Sequence, residues 1–548
     1  MAPAQRPIDI SRPPTAGEAF ISATPTTADA ANTGSTRTNT RQDRYQPARR
    51  ESQVKKPKGS MTAGVINVKH FGWSAGPVST FACPAILGGH PREREATTVI
   101  RDLGDGLVLR ASTPADAEAM AAFVGDVLRA QDSDEPNHHM SAWTRDLHEG
   151  RHPTFRPGDC TIVADAGGRI VSCLHLVTQT WTYGGVPIAV GQPELIGTSP
   201  EYRGRHLVRA QFDVVHGWSA ARGHPMLAIS GIPWFYRQFG YELAIERGGG
   251  PGVRRDAIVP LPPPPPAWRV RRATVDDAAF LADTYTAAAA RSLVSVPRDA
   301  TLWRYELTGH SADSAQRRGV LVLERDGHTV GYITHGLELF SSGSLVVTQF
   351  ELTAGVSWRE AWLAALAPLF EAGDAVAAGT PVGRCTALSF WLLGREHPLD
   401  RVFRFQERDD PYAFYVRLPD VATFLRAVTP ALERRLAASV CAGHSGTLTL
   451  GFYRDGVKLA FERGKVTVLE GWRPDIAVRG LEFGRTSPDA RRPVAMFPDL
   501  TFLQLVFGFR SLRELEAAFP DCVVRTNEAR ALLDALFPRT PSDVWPVL

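Results

Sequence analysis

The sequence predicts an α/β protein, built as two copies of one mixed-sheet unit and a smaller α+β unit behind a disordered tail. Three observations carry this. Between residues 107 and 241, short β-branched runs alternate with amphipathic helical stretches, the pattern of a sheet with helices on both faces. At residue 268 the opening of that unit is replayed. Trp268-Arg269-Val270-Arg271-Arg272-Ala273-Thr274-Val275-Asp276-Asp277 repeats Leu107-Val108-Leu109-Arg110-Ala111-Ser112-Thr113-Pro114-Ala115-Asp116 as a strand running into an Asp-rich helix start. Beyond residue 420 the texture changes to helix, alternating strands and further helices.

Residues 1–96 are rich in Pro, Ala, Thr, Ser, Arg and Gly and lack a sustained apolar period, so disorder is expected there. A tail that meets an acidic partner and a dispensable extension, with Met61 as another start, both fit it. The unit at 97–254 reads as a strand at 107–111, helices at 114–129 and 141–148, and strands at 160–165, 170–178 and 188–198. A helix follows, with apolar residues at 207, 210, 214, 218 and 221 on one face, then a strand at 226–230. Residues 255–266 form a spacer, since each proline from Pro262 to Pro266 fixes φ and lacks an N–H; an SH3 ligand is the alternative. The second unit spans 267–419. The third, 420–548, reads as a helix at 421–438, strands at 447–453 and 457–461, and helices at 500–507 and 511–519.

The formal net charge of +3 is uneven, because the first 58 residues hold ten Lys and Arg against five Asp and Glu. The remaining body is slightly acidic, which argues against a nucleic-acid partner. Cysteines at 83, 160, 173, 385, 441 and 522 include no Cys-x-x-Cys pair, so no metal site or disulfide framework is expected and a cytoplasmic setting is. No run approaches the ~18 apolar residues of a membrane span, and the start has no signal-peptide core, so no membrane partner is expected.

The most informative stretch is residues 193–212, where an apolar strand enters the turn Arg203-Gly204-Arg205 and then an amphipathic helix. A helix start offers unpaired N–H groups and a partial positive charge, and two flanking arginines add countercharge, which suits a pyrophosphate. Residues 232–241 follow as a short aromatic helix, Phe235-Tyr236-Arg237-Gln238-Phe239-Gly240-Tyr241, closed by its glycine. Together these segments resemble the GNAT superfamily of acyl-CoA-dependent N-acetyltransferases. Its phosphate motif, Arg/Gln-x-x-Gly-x-Gly/Ala, aligns with Arg203, Gly204, Arg205, His206, Leu207 and Val208. His206 and Val208 stand where the family has glycine or alanine, which predicts crowding of the pyrophosphate or a shifted helix start. The second unit has Thr353-Ala354-Gly355-Val356-Ser357-Trp358-Arg359-Glu360 where the turn should fall and no aromatic motif, so it reads as catalytically empty. The whole order resembles the Eis type of acetyltransferase, whose last domain is similar to a sterol carrier protein.

The resemblance implies tandem GNAT-like domains, acetyl-CoA as co-substrate, an amine acceptor and a homo-oligomer, a hexamer in that type. It implies that backbone groups of Leu195, Ile196 and Gly197 hold the pantetheine arm. Tyr236 is the candidate acid, since a phenol of pKa about 10 is protonated at neutral pH; a core aromatic is the alternative. The resemblance implies that the base is the chain's own terminal carboxylate, here that of Leu548. Glu194 is the second candidate base, or else a solvated carboxylate at a strand edge. Asp132, Asp134 and Glu135 in the loop after the first helix would attract a cationic amine such as an aminoglycoside, a polyamine or a lysine, or are merely a solvated loop. The neighbouring His138 and His139 lack a second cluster at metal-ligand spacing. The competing functional reading is a GNAT scaffold without turnover whose last domain carries an apolar ligand.

Overall fold

The computed structural model describes residues 99–129, 134–258, 261–340, 343–378, 380–392, 397–402, 407–409, 411–473, 493–546 and 548. The expected tail and Asp132 lie outside them. The first unit begins with β1 (Val99–Gly104), β2 (Leu107–Ala111), α1 (Ala117–Val127) and α2 (His138–His148). It continues through β3 (Cys160–Ala164), β4 (Ile170–Tyr183), β5 (Val186–Thr198), α3 (Leu207–Ala221), β6 (Met226–Ile229) and β7 (Glu242–Arg247). Strand β4 is buried on both sides from Ile170 to Val177, packed by α1 and α2 on one face and α3 on the other. Each Val or Leu buried in this way contributes about 1.5–3 kcal/mol.

Next come β8 (Gly250–Arg254), β9 (Trp268–Arg272), α4 (Ala278–Ala289), β10 (Val294–Ser295) and α5 (Ala300–Thr308). After them lie β11 (Gly319–Arg325), β12 (His328–Leu339), β13 (Ser344–Leu352), α6 (Trp358–Ala377), β14 (Ala387–Phe390), β15 (Glu407–Asp409) and β16 (Tyr412–Arg417). The replayed sequence builds one local device twice. Thr113 donates its N–H and hydroxyl to Asp116 at 2.7 and 2.9 Å, and Arg110 grips both oxygens of that carboxylate at 2.8 and 2.7 Å. Thr274, Asp277 and Arg271 do the same at 2.8 and 3.2 Å, then 2.8 and 2.8 Å. The Arg271 bonds hold the Asp277 carboxyl below the usual carboxylate range.

Two strands cross between the sheets. Among the described residues the first sheet runs β1-β2-β3-β4-β5-β6-β16-β7, with β10 against β4, and the second runs β15-β8-β14-β13-β12-β11-β9. The strand before the proline spacer therefore sits in the second sheet. The last strand of the second unit sits in the first, with Tyr415 facing Ile229 on one side and Leu243 on the other.

The third unit holds α7 (Val421–Ala427), α8 (Thr429–Ala437), β17 (Gly446–Gly451), β18 (Gly456–Glu462), β19 (Lys465–Trp472) and β20 (Ala495–Met496). It ends with α9 (Thr501–Val506), α10 (Leu512–Ala518), β21 (Val523–Val524) and α11 (Asn527–Leu536). The helix expected over 421–438 is two helices, because Pro430 belongs to the first turn of α8, where its missing N–H is tolerated, and not to a helix interior. No helix among the described residues is long and apolar enough to cross a membrane.

Candidate active site

Leu195 sets the local geometry. Its φ of 47° is left-handed, a conformation that costs an L residue roughly 1–2 kcal/mol. It lies where the pairing of β4 and β5 slips, with Cys173 opposite Gly197 and His175 opposite Glu194, so that Leu174 opposes both Leu195 and Ile196. On the other side, β5 pairs with β6 only at Val190–Met226 and Gly191–Leu227. Among the described residues, the backbone from Gln192 to Thr198 therefore has no strand partner on that side.

The chain then turns through Gly204 at φ 78° and His206 at φ 59°, and α3 starts at Leu207 with no side chain capping its first N–H groups. The helix thus begins directly after the turn, with His206 as its N-cap residue. His206 takes the left-handed conformation a glycine would supply and keeps its side chain exposed, while Val208 packs against the cluster of Phe212 and Leu174. Arg203, Gly204 and Arg205 are exposed beside this start, and the Arg205 guanidinium lies 5.3 Å over the Tyr202 ring. The arrangement suits an anion at α3 and an extended amide chain along β5.

Tyr236 lies on a single 3-10 turn, Phe235–Phe239, held between two left-handed residues, Trp234 at φ 67° and Gly240 at φ 82°. Its ring is buried, edge-on to Phe212, Phe235, Tyr241 and Tyr415 at centroid distances of 6.2, 5.2, 6.4 and 5.5 Å. It is thus a core aromatic as well as a candidate acid. Burial, and then the Glu194 charge, push its pKa far up, so the phenol keeps its proton. The exchanged strand β16 fixes this turn: the Trp234 N–H donates to the Tyr415 hydroxyl at 2.7 Å, and the Tyr412 hydroxyl donates to the Gly231 carbonyl at 2.7 Å.

Glu194 is buried, at 5% exposed, and so is not the solvated edge carboxylate that strand alternation allowed. Burial raises its pKa to about 7, against the Gln192 amide, which donates to it at 2.8 Å, and the Arg247 charge. Arg247 is itself buried, which lowers its pKa to about 10, and its guanidinium lies 5.3 Å over the Phe414 ring. Neither tyrosine of β16 nor Arg247 was legible as a site residue, because a strand from the far end of the second unit brings or braces them.

The last residues enter the first unit along β10. The Leu293 N–H donates to the Pro541 carbonyl at 2.7 Å and the Asp543 N–H to the Val294 carbonyl at 2.9 Å, with Ser295 and Asp543 in a parallel bridge. Arg298 donates to the Trp545 carbonyl. The Leu548 side chain, 1% exposed, ends in the same apolar cluster as Leu195, Phe123 and Trp143. In the acidic loop, Asp134 and Glu135 are exposed. His139 is tied to the second unit, 3.4 Å from Glu338 and 2.7 Å from the Asp313 carbonyl. Deeper in, the ligand atoms of His148, Cys160 and His175 lie within 4.8 Å of one another, with the two Nε2 atoms 3.1 Å apart. The His148 Nδ1 has no hydrogen-bond partner among the described residues, whereas imidazoles that ligate metals normally donate from the other ring nitrogen; the His175 ring faces the Leu195 backbone without a close hydrogen bond. Burial holds both rings neutral, lowering His148 to about 4 and His175 further, and an imidazole-to-imidazole hydrogen bond accounts for the contact. The five cysteines among the described residues are free.

No curated protein matches the chain. Solved structures share its fold at low identity. A conserved Enterococcus faecalis V583 protein, described as a probable N-acyltransferase, is 14% identical with a TM-score of 0.56, over 81% of this chain and 100% of that one. GCN5-related N-acetyltransferases from Kribbella flavida and Anabaena variabilis ATCC 29413 are 18% and 12% identical, each with a TM-score of 0.52 over 80% of this chain, and over 97% and 99% of their own. Residues 108–244, which contain the strand break, the start of α3 and the Tyr236 turn, match the acetyltransferase (GNAT) domain.

Proposed function

We propose that the chain is an N-acetyltransferase that passes an acetyl group from acetyl-CoA to the amine of a small cationic acceptor, an aminoglycoside or polyamine, or to a lysine. The observation that carries this is the strand break at Leu195 together with the uncapped start of α3, in a unit that also buries Tyr236, whose burial keeps the phenol protonated, and Glu194, whose burial raises its pKa to about 7. Acetyl-CoA supplies an activated acyl carbon and a sulfur leaving group. The open N–H groups of α3, with Arg203 and Arg205, suit its pyrophosphate, and the backbone of Leu195, Ile196 and Gly197 suits its amide arm.

The chain's own groups divide the proton work. A carboxylate takes the proton of the attacking amine as the C–N bond forms. Tyr236 gives its proton to the sulfur as the C–S bond breaks, and the phenolate recovers a proton from the protonated base or from water. By resemblance the carboxylate is that of Leu548, whose side chain is seated beside Leu195. Glu194 is the second reading, favoured by its pKa of about 7. By the same resemblance we read the second unit as a GNAT-like copy without a phosphate turn, the third as sterol-carrier-like and the assembly as hexameric; light scattering that gives a monomer removes the last.

Release of CoA thiol, followed with tobramycin and spermidine, tests the function. Amine-dependent release is expected, with kcat lowered about 10²–10⁴-fold in Tyr236→Phe at nearly unchanged KM for acetyl-CoA. Absence of release with any amine refutes the activity, and an unimpaired variant refutes the acid.

A further inference from the structure

Trp234 is the most exposed aromatic side chain among the described residues, at 73%, whereas Trp143, Trp181 and Trp303 are fully buried. Its backbone is left-handed, with φ at 67°, a conformation that so bulky a residue rarely takes. The strain is maintained from a distance: the Tyr415 hydroxyl, brought by β16, holds the Trp234 N–H, and the Tyr412 hydroxyl holds the Gly231 carbonyl just before it. The ring is oriented as well. The Arg237 guanidinium lies 5.0 Å over one face of the indole, and the buried Glu242 fixes that guanidinium by accepting from its Nη2 and Nε at 2.6 and 3.2 Å. No other ring contacts the indole among the described residues. With one face covered and most of the side chain exposed, the opposite face is open.

The sheet puts this ring beside the strand break. Strands β5 and β6 run parallel at Val190–Met226 and Gly191–Leu227 and then part, so the backbone from Gln192 to Thr198 bounds the cleft on one side and the segment that leaves β6 after Ile229 bounds it on the other. That segment ends at Trp234. The 3-10 turn that follows is tied to the first turn of α3, with Arg209 donating to Gln238 at 2.7 Å and lying 5.0 Å over the Phe239 ring. We infer that the open face of the Trp234 indole receives the adenine base of the acyl-CoA donor, an assignment that rests on the acyl-CoA reading above. A planar base stacks on an open aromatic face. The amide arm instead needs the free backbone inside the cleft. A cationic acceptor is disfavoured on this ring, because the Arg237 guanidinium already occupies its other face and the two like charges would share it. The left-handed backbone, a strain of about 1–2 kcal/mol, is thus kept where a stacking surface has to project from the turn.

Two measurements on the full chain test the platform. Titration calorimetry compares acetyl-CoA with S-acetyl phosphopantetheine, which keeps the arm and lacks the nucleoside. Trp234→Ala is expected to weaken acetyl-CoA about tenfold and acetyl phosphopantetheine less than about twofold, while Trp234→Phe, which keeps a ring, retains most of the affinity. The second probe is CoA carrying an etheno-adenine base, whose fluorescence an indole quenches on stacking; it should dim on binding to the native chain and stay bright on binding to Trp234→Phe. Equal weakening of both ligands in Trp234→Ala overturns the assignment, because the side chain then serves the cleft and not the base. Unchanged acetyl-CoA affinity in both variants, or binding of the fluorescent CoA to the native chain without quenching, also overturns it and leaves the acyl-CoA reading standing. A native chain that binds neither acetyl-CoA nor acetyl phosphopantetheine overturns both.

Discussion

Replacing Glu194 with glutamine tests whether burial governs the chemistry at β5. In the folded protein burial lifts this carboxyl from 4.5 to about 7, and neither the Gln192 amide nor the Arg247 charge offsets it. A folded-state pKa above the unfolded one means that the native protein holds the proton more tightly. The carboxyl's contribution to stability is therefore full below about pH 4.5, is lost as pH rises towards about 7, and stays lost above it. A gap of that width corresponds to about 3 kcal/mol, of which about 2–3 falls between roughly pH 5 and pH 8. Glutamine keeps the shape, can still accept from Gln192 and has no proton to lose. Arg247, lowered only to about 10, stays charged at both pH values, so its missing countercharge affects both readings alike and cancels in their difference. Urea unfolding of both proteins should show the variant gaining about 2–3 kcal/mol on the native chain as pH rises from about 5 to 8. Parallel stability curves would refute the argument and place the ordinary carboxylate pKa at Glu194.

Two further outcomes concern the ends of the site. Extending the chain by a short Gly-Ser segment after Leu548 moves the terminal carboxylate off its seat; if that group is the base, kcat falls about 10²–10⁴-fold while acetyl-CoA affinity, read by titration calorimetry, holds. Undiminished turnover in the extended protein transfers the role to Glu194, whose glutamine variant should then lose the rise of kcat through about pH 7. His206→Gly relieves a left-handed residue whose side chain is exposed, so it should raise stability by no more than about 1 kcal/mol and change acetyl-CoA affinity less than about tenfold. A larger gain in affinity would mean that the imidazole obstructs the pyrophosphate.

The sequence carried much of the first unit because its signals are local. The alternation at 107–111, 160–165 and 188–198 and the apolar stripe from 207 to 221 correspond to β2, β3, β5 and α3. The Arg110–Asp116 and Arg271–Asp277 devices answer to the repeat that announced them. The helix α11 was also available, since Ala529, Leu532, Leu533 and Leu536 have helical spacing after the cap Thr526. What could not be read is set by distant pairing. Alternation puts Glu194 on one face of a strand, but burial of that face depends on what packs there. The bulge at Leu195 is a backbone slip without a glycine to mark it. The tyrosines that clamp the Tyr236 turn come from β16, and no local pattern says that a strand will leave its own unit.

That exchange bears on how the protein is made. Tyr415 lies 181 residues after the Trp234 amide it holds, and a ribosome adding about 5–20 residues per second needs roughly 9–36 s to cover the distance. During that interval the nascent first sheet has β6 and β7 without the strand that separates them, and the gap edges are open to a wrong partner. The second sheet meets the opposite situation, since β8 is already made and waits for β14 and β15. Folding is thus coupled across both units during synthesis. Slowing translation between the two halves should prolong the aggregation-prone stage, whereas a holdase that shields strand edges should raise the yield of native protein.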